Sequence, residues 1–386
     1  MVKMLNAISA EIDDSDAAVA EILEQLHLDR DLRKNSIGLV ACNYEFIEVG
    51  TLEALGAALP FEIIGITTLG NAAQGLYGLD YLSVSVLTSD DVRFSSALTG
   101  KITGENIQKE VSGALNTAQA RLGKVPSFVL AYAPMMASLG GVVFFNEINR
   151  VCGDAPVFGA FSCDQTLDFQ ESKVIYRGKA YADSLALILM EGDIHPKFFV
   201  TAIPDKNIQK QHAIITESDG IMLKKVNNMP LLDYLGTLGL TRGGGIEAVA
   251  TIPFMVNYND GTKSVALAMY EVTPEGFARC GGDMPVDATL AIGLLDYESI
   301  METAESTVSQ FLRYKDINGI LMYPCLSRNM ILGVNGSAEM KKITGLLGDR
   351  APYQICYSGG EICPMQNAEG GYVNHFHNFT FVACIF

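Results

Sequence analysis

The chain has 386 residues, 49% of them hydrophobic and 18% charged, with a formal net charge of −17. That length predicts about two domains, and the composition is that of a folded globular protein rather than a disordered one. The acidic balance excludes nucleic acid and disfavours an anionic membrane as partners, because both need clustered Lys and Arg, and no run of adjacent cationic residues is longer than a pair such as Lys224 with Lys225.

The opening segment "MVKMLNAISAEIDDSD" meets acidic residues before any adequate apolar run, so it does not read as a signal peptide. The longest strongly apolar stretch, "SLALILM" (184–190), is strand length and far short of a bilayer span. A cytoplasmic protein is expected, in which the sequon "NFT" (378–380) goes unused. The eight cysteines are dispersed with no C-x-x-C pair, so free buried thiols are expected rather than a structural zinc site.

Residues 14–27, "DSDAAVAEILEQLH", place Ala18, Ile22, Leu23 and Leu26 on one helical face behind an acidic start. A pattern then recurs three times. "SIGLVACN" leads through a helical stretch to "PFEIIGITTLG". "SFVLAYAP" leads through "GGVVFFNEINRVCG" to "PVFGAFSCD". "INGILMYPC" leads through "SAEMKKITGLLG" to "PYQICYSGG". Each copy reads as a βαβ unit whose apolar strands are buried on both faces. Ligands of open α/β sheets collect beyond the carboxyl ends of such strands. Between the units, "DYLSVSVLTSDDVRFSSALTG" (80–100), "VIYRGKAYADSLALILME" (174–191) and "PKFFVTAI" (196–203) read as antiparallel strands. The fold class is therefore α/β, with two domains of mixed, partly parallel sheets flanked by helices.

A boundary falls near residue 228, dividing the chain into 1–228 and 229–386. "VNNMPLLDYLGTLGL" reads as a loop and then a helix with Pro230 in its first turn and glycines near its end. "RGGGIE" (242–247) lacks the Lys-Ser/Thr of a P-loop and reads as a flexible loop before the strand "AVATIPFMVNY".

Reactive side chains concentrate in the last 70 or so residues: Cys325, Arg328, Glu361, Cys363, His375, His377, Asn378 and Thr380. "GGYVNHFHNFTFVACIF" reads as one long strand, with His375 and His377 on one face and Asn378 and Thr380 on the other. Three chemistries use these types. Two histidines at i and i+2 with Glu361 or Cys363 could hold a metal. Cys325 or Cys363 with His377 and Asn378 could make a nucleophile. Arg328 could fork onto a carboxylate while Glu361 accepts from an ammonium, which suits a small zwitterion; a salt bridge between the two is the competing reading.

The segments "PCLSR" and "GGEICP…GGYVNHFHNFT" resemble the C-terminal domain of the FIST family, with Ser327 where the family often has Gly. "GITTLG", "PVFGAFSCD", "YRGKAYADSLALILMEGD" and "TESDGIMLKKVNNMPLLDYLGTLGL" resemble its N-terminal domain, and "PFMVNYNDG" and "VTPEGFARCGGDMP" continue the likeness. The resemblance implies a sensory input protein of bacterial signal transduction, not an enzyme, that binds a small amino-acid-like ligand. It would report to a separate partner such as a histidine kinase, cyclase or chemotaxis protein. Arg328, Glu361, Asn378 and Thr380 would contact the ligand, Cys325 and Cys363 would line the site, and His377 would orient the ligand, with His375 structural. The alternatives are a haem-binding nitric oxide sensor, with His377, His375 or Cys325 as axial ligand, and a Cys-dependent hydrolase.

Overall fold

The computed structural model describes residues 1–136, 138–166, 168–241 and 252–386. All three recurring units are βαβ units. Asn35–Cys42 pairs with Ile63–Thr67, Phe128–Ala133 with Val157–Phe161, and Ile320–Pro324 with Tyr353–Cys356, each in parallel. Every other strand pair among the described residues is antiparallel. The strands of the units are buried along nearly their whole length, because helices cover one face of each sheet and a shared core covers the other.

Each unit seeds its own six-stranded sheet, and the three sheets share one plan. An edge strand and its antiparallel neighbour lie beside the first parallel strand; the second parallel strand follows, and then a β-hairpin. In the first sheet the outer pair is Lys3–Ser9 and Leu82–Ser89, in the second Arg93–Leu98 and Ala186–Glu191, and in the third Lys197–Thr201 and Phe381–Ile385. The hairpins are exchanged cyclically. The one that follows the first unit (Asn71–Gly78) completes the third sheet. The one after the second unit (Val174–Tyr181) completes the first, and the one after the third (Glu361–His377) completes the second. The repeat visible in the sequence is thus a threefold repeat of topology.

The strands between the units are all antiparallel to their neighbours, as their sequences predict. "DYLSVSVLTSDDVRFSSALTG" contains two strands, but they lie in different sheets instead of forming a hairpin. In 174–191 the turn at Arg177–Gly178 does close a hairpin, with φ of 53° and 77°, after which Ala186–Glu191 leaves for the second sheet.

At the centre the ends of the parallel strands bond to one another. Thr68 N donates to Cys42 O at 2.9 Å, Ser162 N to Ala133 O at 2.8 Å and Ser358 N to Pro324 O at 3.0 Å, in equivalent positions of the three units. Gly65 is required here, since a Cβ would collide with the carbonyl of Val40 on the paired strand.

The first helix spans Ser15–Leu26, buries Ala18, Ile22 and Leu26, and is capped by Asp14, whose Oδ1 accepts from Ala17 N at 2.9 Å. Pro230 sits just before the helix Leu231–Thr237 rather than inside its first turn. Residues 242–247 lie outside the described residues, and the strand after them is Phe254–Asn257. A fourth, wholly antiparallel sheet between Ala213 and Ile292 has its own core around Leu223, Phe254 and Leu290. None of the described helices is long and apolar enough to cross a membrane.

Candidate functional site

The C-terminal segment is not one strand. Tyr372–His377 ends the second sheet and Phe381–Ile385 lies inside the third, so the chain changes sheets across Asn378, Phe379 and Thr380. Phe379 turns the corner with φ of 60°, an uncommon value for an aromatic residue. The fourth sheet holds the corner. Asn378 N donates to Ala266 O at 2.9 Å, and Asn378 Oδ1 accepts from Ala268 N at 3.0 Å. Gly281 leaves room for that Oδ1, which a Cβ would strike. Asn378 therefore fastens two sheets instead of facing a ligand.

Glu361, directly opposite His377 in the strand pair, is fully buried. Its Oε1 accepts from Ser358 Oγ at 2.5 Å and its Oε2 from Thr380 Oγ1 at 2.7 Å. Burial pushes its carboxyl up to about 8, against the pull of hydrogen bonds from Ser358, Thr380 and Cys325. Near neutral pH it carries a proton for much of the time.

Arg328 is completely buried, and its fork is already filled. Nε and Nη2 reach Glu339 Oε1 at 2.7 and 2.6 Å, and Nη2 also donates to Thr303 Oγ1 at 2.9 Å and Ile300 O at 3.1 Å. Nη1 donates to Phe379 O at 3.3 Å and Ala202 O at 3.5 Å. The expected ligand contact is corrected: no N–H is left over for a carboxylate. The salt-bridge partner is Glu339, not Glu361.

A cavity of about 640 Å³ opens where the second, third and fourth sheets meet the helix Tyr297–Phe311. Of the residues expected at the site, His377 and Thr380 line it. Its walls add Val200–Asp205 from the third sheet and the loop after it, Met255 from the fourth sheet with Thr262–Ser264 from the loop between two of its strands, and Glu302 and Thr303 from the helix. Asp205, Glu302 and Lys263 are exposed at its rim, and Glu302 pairs with Lys206 at 2.5 Å. Sequence reasoning missed these residues because a lone Lys in a turn ("NDGTK") or an acid on a helix surface carries no motif; only folding brings them together.

His377 is fully buried, with Nε2 3.0 Å from Cys363 O, so Nε2 carries the proton and Nδ1 is bare. Nδ1 has no partner. Burial, reinforced by His375, drives the imidazole down to about 3, so it is neutral at physiological pH. His375 lies on the same face but does different work. Its Nε2 is 3.2 Å from both Asp260 Oδ2 and Thr262 Oγ1, and its ring stacks on Tyr258, 5.6 Å between centroids. It anchors the loop that carries Lys263 to the cavity rim.

The nucleophile reading fails on geometry. Burial raises both thiols well above the ordinary cysteine range, aided by Glu361 at Cys325 and by Cys384 at Cys363. Cys363 packs into the apolar core beside Tyr323 and Cys384, and Cys325 Sγ faces Ser327 Oγ at 3.6 Å rather than an imidazole. Neither cysteine lines the cavity. Among the described residues no three His, Cys, Asp or Glu gather as metal ligands. The cavity does not suit haem: carboxylates, hydroxyls and a lysine interrupt walls that a porphyrin needs apolar.

Models of the FIST N domain and the FIST C domain match residues 36–229 and 231–364. The chain belongs to the FIST family. FIST domains are associated with ligand binding in sensory signal transduction. A search of curated proteins found no match to this FIST chain. Among solved structures it is similar to a cyanuric acid hydrolase described as an evolutionary innovation by structural concatenation. Identity there is 11%, with 100% of this chain and 98% of that chain covered and a TM-score of 0.33. It is also similar to the cyanuric acid hydrolase of A. caulinodans, at 9% identity, with the same coverage and a TM-score of 0.38. Both are enzymes, so the expectation that this FIST protein is not an enzyme is withdrawn. Overlap at that level assigns it no activity.

Proposed function

We propose that the cavity is the ligand site of a cytoplasmic sensory protein in bacterial signal transduction, and that its ligand is an amino acid or a similar small zwitterion. The observation that carries this reading is the lining itself. His377 and Thr380, from the most specific family motif in the sequence, share one cavity with Lys263, Asp205 and Glu302. A zwitterion needs both signs within reach, plus partly apolar walls to desolvate it, here from Val200, Ile203 and Met255. With the chain divided at 228, the walls come from both parts, which favours a ligand that binds one arrangement of the two better and shifts the population toward it. A separate partner, such as a histidine kinase, cyclase or chemotaxis protein, would read that arrangement.

Thermal-shift screening of the L-amino acids tests the reading. A ligand at 100 times its Kd stabilises the fold by about 2.7 kcal/mol. That stabilisation should shrink in Lys263→Met, whose own stability should match wild type because Lys263 is exposed and makes no ion pair among the described residues. Equal stabilisation in both proteins would remove the cavity from the account.

A further inference from the structure

The three equivalent edge strands differ in what meets them. In an antiparallel pair, alternate residues turn their N–H and C=O away from the partner strand, and at a sheet edge those groups need another partner. On the first edge, Lys3–Ser9, the protein supplies it. Met4 N donates to Asn318 O at 3.1 Å, and Asn6 O accepts from Gln74 Nε2. Ile8 N and O bond to the two ends of the Gln25 amide at 2.9 and 2.8 Å. On the second edge, Arg93–Leu98, Ser96 O accepts from Arg121 Nη1 at 3.2 Å. On the third, Lys197–Thr201, no group among the described residues bonds to the outward backbone.

That bare edge faces the cavity. A strand has two faces and two edges, and three of the four are taken here. Phe381–Ile385 pairs with one edge. Phe198 and Val200 pack against the core shared by the sheets. On the opposite face Phe199 meets Phe311, 5.7 Å between centroids, and Thr201 Oγ1 bonds to Thr307 Oγ1. Val200 and Thr201 are nevertheless partly exposed and line the cavity, which leaves the unpaired edge as the side they present to it.

We infer that the cavity holds a short peptide, laid in extended form as an added strand along Lys197–Thr201. This rests on the ligand reading above and narrows its zwitterion to one with a peptide backbone. Main-chain N–H and C=O groups are the chemistry that a bare strand edge recognises. A free amino acid has no peptide group with which to continue the ladder. The two charged termini of a peptide match a lining that holds Lys263 together with Asp205 and Glu302. The volume of about 640 Å³ lies within the range of about 300–1,000 Å³ found for ligands well above amino-acid size.

The test uses the full chain and the tripeptides Ala-X-Ala, with X running over the common amino acids. At least one should raise the melting temperature and, by calorimetry, bind about tenfold or more tighter than free X. Methylating the amide nitrogens of X and of the last Ala in turn should weaken binding about tenfold at one and hardly at the other, because only alternate residues of a strand face the same partner. Amide hydrogen exchange in residues 197–203 should slow with the tripeptide and not with free X. Equal response to the two methylations, or unchanged exchange in 197–203, overturns the strand pairing. Amino acids that bind where no tripeptide does overturn the inference and leave the ligand reading standing; if neither binds, both fall. Slow exchange in the ligand-free chain that becomes slower as protein concentration rises would mean that a second copy covers the edge, and that also overturns the inference.

Discussion

Arg328 and Glu339 form an ion pair with both side chains wholly buried, and through it Arg328 holds three walls of the cavity in place. Its remaining donors reach Ala202 O in the loop after Lys197–Thr201, Ile300 O and Thr303 Oγ1 on the helix, and Phe379 O at the sheet crossing. Replacing it with Gln strands the Glu339 charge and frees those acceptors at once. A loss of about 3–5 kcal/mol in unfolding free energy is expected, read by urea denaturation at neutral pH. The double variant Arg328→Met, Glu339→Gln should lose clearly less than the two single variants summed, because it leaves no buried charge unpaired.

Glu361 sets a pH dependence of its own. Its carboxyl sits near 8 in the folded chain against an ordinary value of 4.5. The folded state therefore holds a proton that the unfolded state gives up between those values. The contribution is fully present below about 4.5 and fades as pH rises toward 8, by up to about 1.4 kcal/mol per pH unit. Glu361→Gln removes that slope. Denaturation midpoints of wild type should fall relative to the variant as pH rises from about 5 to about 8. Parallel curves would mean that Glu361 stays ionised.

The three βαβ units are legible in the sequence because a strand buried on both faces must be apolar throughout, and Ile63–Thr67 or Val157–Phe161 can be nothing else. The destination of each hairpin is not legible. Nothing near Glu361 says that its strand will pair with Val157–Phe161 rather than with the Tyr353–Cys356 strand that precedes it. Pairing partners are chosen by contacts far apart in sequence. The same limit explains the site. "HFHNFT" is recognisable, so His377 and Thr380 are found, but the apparent strand hides a change of sheet at Phe379. Arg328 looks like a ligand fork because Glu339, eleven residues on, carries no sign of its burial.

The thiols should be inert in the folded chain. All eight are buried, and burial raises Cys325, Cys356, Cys363 and Cys384 well above the usual thiol range. Reaction needs both access and thiolate. A chromogenic disulfide reagent should find essentially no thiol in the native protein within minutes and all eight after denaturation. A single fast native thiol, abolished by Cys325→Ala or Cys363→Ala, would reopen the nucleophile reading.

His377 opposes Glu361. Its imidazole is held near 3 by burial and by His375, against an ordinary 6.5. Between those values the unfolded state binds the extra proton, so the contribution of His377 is complete above about 6.5 and is lost as pH falls toward 3. From about 4.5 to 6.5 the two slopes have opposite sign, and wild type should be nearly flat with respect to this pair. His377→Gln leaves the Glu361 slope alone. Relative to wild type, the variant should then gain about 1.4 kcal/mol for each pH unit of acidification across that window. Urea midpoints at about pH 6.5 and about pH 5 read the difference directly. A variant that gains stability on acidification in parallel with wild type would show that His377 accepts a proton in the folded state as readily as in the unfolded one.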